Sequence, residues 1–114
     1  MPNYFTLFST QIVGITLGEE AWLWEEYERL IDAAQTAGEE FGCWWEITPE
    51  RTLWLHHAED FTEGLTSARD LIQSFLAHCR PAQVHELSYA LTCDRPVVDA
   101  FGGGTITITA QGWQ

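Results

Sequence analysis

The hydrophobic pattern of the first third of the chain changes from strand-like to helical. Residues 3–13 are rich in aromatic and β-branched side chains, a composition that is typical of a β-strand. From Glu19 to Ala37 the apolar residues recur at helical spacing, and Gly38 follows as a C-cap. Glu19 and Glu20 would lie in the first turn, where carboxylates interact favourably with the helix dipole. One strand and one helix are therefore predicted.

The rest of the chain predicts a hairpin, a second helix and two further strands. The predicted strands are residues 42–47, 52–57, 84–93 and 105–110. Asp60 and Glu63 resemble a capping box that opens a helix ending near His78, since Pro81 prevents its continuation. Residues 94–104 are predicted as a turn region.

The order β-α-β-β-α-β-β predicts a single α+β domain over residues 1–114. Strands mixed with helices around a split β-α-β unit indicate a two-layer sandwich of the ferredoxin-like kind, here with one extra C-terminal strand. Two helices would cover one face of an antiparallel sheet, and the other face would be open. A fold of this kind hosts many functions and does not assign one by itself.

The alternation of side chains along each strand assigns the strand residues to two faces. The set expected beneath the helices is Phe5, Leu7, Cys43, Trp45, Ile47, Leu53, Leu55, Leu87, Tyr89, Leu91, Ile106 and Ile108. The second face would carry Tyr4, Thr6, Phe8, Trp44, Glu46, Trp54, His56, Glu86 and Ser88. An odd-length hairpin loop places Trp44 opposite Trp54, and an even-length loop does not. Exposed aromatic patches usually mark a contact surface, which a second copy, another partner or the chain's own Trp113 would cover.

The charge balance excludes nucleic acid and anionic membranes as direct partners. Five arginines oppose 17 Asp and Glu, the chain has no lysine, and the formal net charge is −12. Proteins that bind nucleic acid gain affinity by neutralising phosphates with Lys and Arg. The acidity either keeps a tryptophan-rich surface soluble or forms a surface for a basic partner, and a nucleic-acid mimic is one form of the latter. The candidate contact residues of the first helix are Glu19, Glu20, Glu25, Glu26 and Glu28.

The sequence contains no pattern that indicates catalysis or metal binding. The three cysteines are widely spaced without a CxxC pair, and the four histidines lack the spacing of zinc ligands. Cys43 and His57 are a conceivable nucleophile and base if both point inward, although a small core thiol is far more common. We expect no cofactor, no metal and no enzymatic activity. Neither a signal peptide nor a membrane-spanning stretch is visible, so a cytoplasmic protein is expected.

A run of three glycines, Gly102, Gly103 and Gly104, precedes the last predicted strand. A phosphate-binding loop would precede a helix instead, so a turn or bulge with positive φ or close backbone approach is favoured. The segment from Cys93-Asp94-Arg95 through these glycines to Thr105–Ala110 resembles the tail of small bacterial proteins that are often associated with plasmids, phages or genomic islands. The resemblance implies a bacterial accessory protein. It supplies no catalytic residue and makes Arg95 and the glycines candidates for a structural corner.

Together these patterns predict a non-enzymatic interaction or inhibitor protein of a bacterial accessory element. It would act as a homodimer, or on another protein with a basic surface, through the acidic helix or an aromatic sheet face. The residues of that face are Tyr4, Phe8, Trp44, Trp54 and His56. Acidic clusters raise association rates and aromatic anchors hold a complex together. The alternative is a small-molecule binding protein that uses the same aromatic face.

Overall fold

The chain folds into two helices and a six-stranded antiparallel sheet in the parts that the computed structural model describes, residues 4–38, 41–57, 63–93 and 102–114. The elements in chain order are β1 (Tyr4–Ile12), α1 (Leu17–Thr36), β2 (Trp44–Ile47), β3 (Leu53–His57), α2 (Glu63–Cys79), β4 (His85–Cys93), β5 (Gly102–Thr109) and β6 (Gly112–Trp113). Within those ranges no helix is long and apolar enough to cross a membrane.

The strand order β2-β3-β1-β4-β5-β6 places β1 between β3 and β4. Helix α1 leads from β1 to β2 at one end of the sheet, so β3 lies between the two strands that this helix connects. The α+β prediction is confirmed, whereas the ferredoxin-like arrangement stays a prediction. The sequence pattern missed β6, which pairs with the end of β5 through Ile108 and Trp113.

Helix α1 begins two residues earlier than predicted because Thr16 forms a capping box. The backbone N–H of Glu19 donates to Thr16 Oγ1 at 3.1 Å, and the backbone N–H of Thr16 donates to Glu19 Oε1 at 2.9 Å. The helix ends at the C-cap Ala37, and Gly38 follows with φ +77°. The predicted cap of α2 at Asp60 lies outside the described residues.

The core lies between the sheet and helix α2. Helix α2 buries Ala68, Leu71, Ile72, Phe75 and Leu76, whose spacing forms one continuous stripe. The sheet residues that are buried beneath it include Ile12, Leu53, Leu55, Leu87 and Ile108. Helix α1 is more peripheral, because Leu23 is its only buried apolar residue. Helix α2 therefore organises the core.

Strand β1 presents the opposite faces from those predicted. Thr6 and Phe8 were predicted on the second face, but both are buried on the helix side, and Phe8 pairs with His57 in the ladder. Leu7 was predicted to face the core, but it lies on the other side of the strand, where it pairs with exposed Ala90. The error has a physical cause. Apolar residues stand at both odd and even positions of this strand, so alternation alone does not show which set faces the helices. The side chain of Tyr4 lies outside the described part.

Arg80 joins the end of α2 to the connection between β1 and α1. Its guanidinium donates to both carboxylate oxygens of Glu19, with Nε–Oε2 at 2.9 Å and Nη2–Oε1 at 3.1 Å. It also donates to the backbone oxygens of Val13 at 3.0 Å and Gly14 at 2.8 Å. The pairing with Arg80 lowers the pKa of Glu19 below its usual value of 4.5. One side chain therefore links the end of α2 to the first turn of α1 and to the connection that precedes it.

The three glycines lie in strand β5 and not in a turn, which corrects the prediction for residues 102–104. Gly103 pairs with Ala90, and Gly104 pairs with Tyr89. A Cβ atom at Gly103 would lie 2.4 Å from the backbone oxygen of Tyr89, and one at Gly104 would lie 3.0 Å from the Tyr89 hydroxyl. The glycines let β5 approach β4 closely while the Tyr89 ring covers Gly104. Arg95 lies outside the described residues.

Substitution Gly103→Ala is expected to destabilise the fold by about 1–3 kcal/mol, because the new methyl group collides with the backbone of β4. Urea denaturation of the variant measures this loss. Gly18→Ala is the matched control, since a Cβ at this helical position meets nothing within 4 Å and alanine favours a helix. Equal unfolding midpoints for Gly103→Ala and the unaltered protein would contradict the packing described.

Substitution Arg80→Met is expected to cost about 2 kcal/mol at neutral pH, because Glu19 loses its charged partner. The unfolded carboxyl titrates near 4.5 and the folded one titrates lower. The stabilisation is therefore present above about pH 4.5 and is lost as the pH falls through the lowered pKa. Urea denaturation at about pH 7 and pH 3 should show the gap between Arg80→Met and the unaltered protein narrowing with acid.

The comparison for this measurement is Arg69→Met, which removes the ion pair with Asp70, whose side chain is 44% exposed, and the contact with the Trp113 ring. The exposed ion pair contributes less than about 1 kcal/mol, and the contact with the ring is the same at both pH values because arginine stays charged throughout. The gap for Arg69→Met should therefore change less between about pH 7 and pH 3 than the gap for Arg80→Met. If Arg80→Met loses the same free energy of unfolding at both pH values, the stabilising ion pair between Arg80 and Glu19 is contradicted.

Candidate interaction surface

The sheet has an outer face on the side away from the helices, and aromatic and polar residues occupy it. We define this outer face by Leu7, Ser9, Gln11, Trp44, Glu46, Trp54, His56, Glu86, Ser88, Ala90 and Thr105. The structure places Trp44, Trp54 and His56 there as predicted, together with both glutamates. Phe8 is not part of it. Both described helices lie on the opposite side, where α1 packs against α2.

Trp44 and Trp54 share the outer face but do not lie opposite each other. Trp44 pairs with His56, and Glu46 pairs with Trp54. The Trp54 ring stacks on His56 with centroids 4.1 Å apart, and its indole N–H donates to Ser9 Oγ at 2.8 Å. Trp54 is thereby held in place, whereas Trp44 is 64% exposed. Trp44 is the most exposed large apolar side chain of the outer face.

The hairpin loop between β2 and β3 sets this register. Thr48 N donates to Thr52 O at 2.9 Å, and Arg51 N donates to Thr48 O at 2.9 Å. Arg51 takes a left-handed conformation with φ 62°, which closes the loop. The loop is odd in length, as one predicted alternative required, but it shifts the pairing by two residues from the expected one. Sequence cannot supply this shift, because it depends on a non-glycine residue with positive φ.

Strand β2 carries a second aromatic cluster on its helix side, which the sequence analysis missed. The Trp45 ring lies 4.7 Å from the Trp24 ring and 5.3 Å from the Tyr27 ring. Tyr27 also contacts Phe41 edge-on at 5.0 Å. Trp24 is 51% exposed, so the cluster reaches the surface. The spacing of Trp24 and Tyr27 on one helix face was the available signal.

Three of the five glutamates predicted as contact residues of α1 are held within the fold. Glu19 binds Arg80, Glu20 binds Arg51 with Nη1–Oε1 at 2.6 Å, and Glu26 accepts from Arg29 Nη2 at 2.7 Å. The hydrogen bond from Arg29 lowers the pKa of Glu26, which is buried. These carboxylates stabilise local structure.

Glu25 and Glu28 are exposed and lie outside the ion pairs found in the described residues. All the described arginines are committed to ion pairs, namely Arg29, Arg51, Arg69 and Arg80. The exposed carboxylates therefore carry most of the net negative charge of the described surface. A contacting protein would meet Glu25 and Glu28 rather than the first turn of the helix.

One alternative from the sequence was that Trp113 covers the outer face, but in the structure it does not. The Arg69 guanidinium lies over the Trp113 ring at 4.1 Å from its centroid, on the helix side of the sheet. This contact joins β6 to α2. Within the described residues, the end of the chain packs away from Trp44.

The conceivable pair of Cys43 and His57 does not have the chemistry of a nucleophile. Burial raises the pKa of the Cys43 thiol to about 12, which keeps it protonated at neutral pH. His57 is buried and stacks on Phe8 with ring centroids 6.0 Å apart. Across the described ranges, no three or more His, Cys, Asp and Glu side chains lie close enough together to hold a metal ion.

No family model matches the chain, and no curated protein or solved structure shows significant similarity to it.

Substitution Trp44→Ser is expected to change the free energy of unfolding by less than about 0.5 kcal/mol, because this ring is exposed. Substitution Trp45→Ser at the next position should cost about 2 kcal/mol, because it removes a ring from the cluster with Trp24 and Tyr27. Urea denaturation of the two variants compares the faces directly. A larger loss for Trp44→Ser than for Trp45→Ser would reverse the assignment of the faces.

Proposed function

We propose that the protein is a non-enzymatic interaction module whose outer face binds another protein with a basic surface. The observation that carries this proposal is Trp44, which is 64% exposed beside the stacked rings of Trp54 and His56. Glu46 and Glu86 lie on the same face, and the described strands contain no arginine. The face therefore combines an exposed aromatic anchor with negative charge.

The energetics of such a contact favour a protein as the partner. Buried tryptophans are among the side chains that contribute most to interfaces, often 2 kcal/mol or more each. An arginine of the partner would contact the Trp44 ring face as a cation, which contributes about 0.5–2 kcal/mol. Glu46 and Glu86 would raise the association rate at low salt. Aromatic attraction and charge act together on a basic partner.

The proposal also covers the ferredoxin-like arrangement of the sheet and the kind of genetic element that encodes the protein. A ferredoxin-like core of β1 to β4 with both helices, extended by β5 and β6, is supported by the order β2-β3-β1-β4 and by antiparallel pairing throughout. A cytoplasmic accessory protein of a bacterial plasmid, phage or genomic island is supported by the resemblance of the segment from Cys93 to Ala110. These assignments agree with a protein that binds a host component.

A second copy of the chain is the competing partner for the outer face. Face-to-face pairing would bring the carboxylates Glu46 and Glu86 of two chains of net charge −12 together. Like charges across an interface are unfavourable, which favours a different, basic protein. Native mass spectrometry separates the two cases, because a homodimer through this face should dissociate in Trp44→Ser.

A small aromatic ligand is the alternative from another functional class. The stack of Trp54 on His56, with the indole held by Ser9, presents a rigid flat surface. A planar ligand that stacks there would quench tryptophan fluorescence, and Trp54→Ala would remove the quenching. The absence of quenching by flat aromatic probes such as flavin and adenine would leave the protein partner as the better account.

Photo-crosslinking in bacterial cells tests the proposed function. A benzoylphenylalanine at position 44 is expected to capture a discrete basic protein, and one at Thr36, which is exposed at the end of α1, is expected to capture none. With that purified partner, Trp44→Ser should weaken binding at least about tenfold, and binding should weaken steeply as salt increases.

Leu17→Ser is the matched control, since Leu17 is 79% exposed at the start of α1, away from the outer face. It should leave affinity for the partner unchanged. Equal capture from positions 44 and 36, or equal loss for both serine variants, would count against the outer face as the contact.

A further inference from the structure

Strand β2 lies at one end of the sheet, and on its far side it pairs with no other strand in the part of the chain that the structure describes. The hydrogen bond from Thr48 N to Thr52 O continues the ladder between β2 and β3. Hydrogen-bonded pairs alternate along an antiparallel ladder. The peptide groups of Trp44 and Glu46 therefore point to β3, and those of Trp45 and Ile47 point outward. This edge has two residues ready to pair with another strand.

Tryptophan rings flank the β2 edge on both sides of the sheet. Trp44 is exposed on the outer face, and Trp45 lies on the helix side against Trp24, which is itself half exposed. The side chains of an added strand alternate between the same two sides. They would meet Trp44 on one side and the Trp24–Trp45 pair on the other. The edge therefore offers apolar contacts as well as main-chain hydrogen bonds.

The charges around this edge select a basic segment. Glu46 lies on β2 itself, and Glu25 and Glu28 are exposed on α1, next to Trp24 and Tyr27 in sequence. The described arginines are already paired with acids of this chain. Natural edge strands are commonly protected by lysine, proline or shortness, and β2 has only its four residues and Pro49 beyond them. Arginine or lysine on an added strand would complement Glu46 on β2, and Glu25 and Glu28 add negative charge on α1, whose Trp24 contacts Trp45.

We propose that the β2 edge binds an extended, arginine- or lysine-bearing segment of a partner protein as an added strand. The inference rests on the proposed function, because the segment belongs to the basic partner that the outer face contacts. The main-chain groups of Trp45 and Ile47 form the hydrogen bonds. The tryptophan rings and the carboxylates select the side chains.

Three capped octapeptides test this strand addition with the full chain. The first alternates Arg and Val, the second alternates Glu and Val, and the third is the Arg-Val peptide with every second amide N-methylated. Tryptophan fluorescence titration should show binding of the first only, and N-methylation in the pairing register should weaken binding at least about tenfold. Hydrogen exchange should slow at the Trp45 and Ile47 amides and not change at those of Trp44 and Glu46.

Two charge-reversal variants separate specific from general attraction. Glu46→Lys should weaken binding of the Arg-Val peptide at least about tenfold, because the reversed charge lies on the edge strand. Asp70→Lys changes the net charge equally, but it lies on α2 beside Arg69, whose guanidinium contacts Trp113 of β6 at the opposite end of the sheet from β2. It should weaken binding less than about threefold. Equal losses, or equal binding of the N-methylated peptide, would show simple charge attraction and overturn the proposal.

The outcomes for the edge and for the outer face are distinguishable. Unprotected Trp45 and Ile47 amides overturn strand addition, even if crosslinking from position 44 succeeds. Failure of crosslinking, with the peptide bound in register, would refute the outer face alone. Slow exchange of the same two amides in concentrated protein without peptide, lost on dilution, would show that a second copy occupies the edge and would also overturn the proposal.

Discussion

The fold depends on one guanidinium group more than on any other polar contact described. Arg80 follows α2, the helix that organises the core, and binds Glu19 in the first turn of α1 and the carbonyls of Val13 and Gly14. Arg51, in the hairpin loop, makes a similar pair of contacts: its guanidinium donates to Ile15 O and to the carboxylate of Glu20. Because Leu23 is the only fully buried apolar residue of α1, these two arginines add to the packing that holds the start of the helix against the sheet. At this corner, electrostatic contacts supplement the apolar ones.

This anchoring divides the acidic residues of α1 into two groups. The first turn, which carries Glu19 and Glu20, is used within the molecule, and Glu26 is bound by Arg29 one turn later. Glu25 and Glu28 remain exposed. A chain with few arginines therefore has a surface whose negative charge is largely uncompensated. The outer face and the β2 edge both belong to that surface, which is why both proposals lead to a basic partner.

The order of helices and strands could be predicted from the sequence, because the periods of α1, α2 and β4 are clear. The side of β1 that faces the helices could not be predicted. Apolar residues stand at both odd and even positions, so Thr6 and Phe8 cannot be assigned to a face without the neighbouring strands. The placement of Gly103 in a strand could not be predicted for a different reason. A run of glycines is typical of a turn, and the close approach to Tyr89 is visible only in the structure. Trp44 and Trp54 were placed on the correct face, but their pairing depended on the conformation of Arg51.

The hairpin loop has a consequence for how such a chain can change during evolution. Trp44 and Trp45 are neighbours that serve opposite sides of one short strand, one exposed and one packed on Trp24 and Tyr27. Inserting or deleting a single residue in the loop would slip the strand by one position and exchange the two rings. Substitutions that keep the length of the loop keep the side on which each ring lies, whereas a change of length by one residue exchanges the two sides. Loop length and the tryptophan pair must therefore be inherited together.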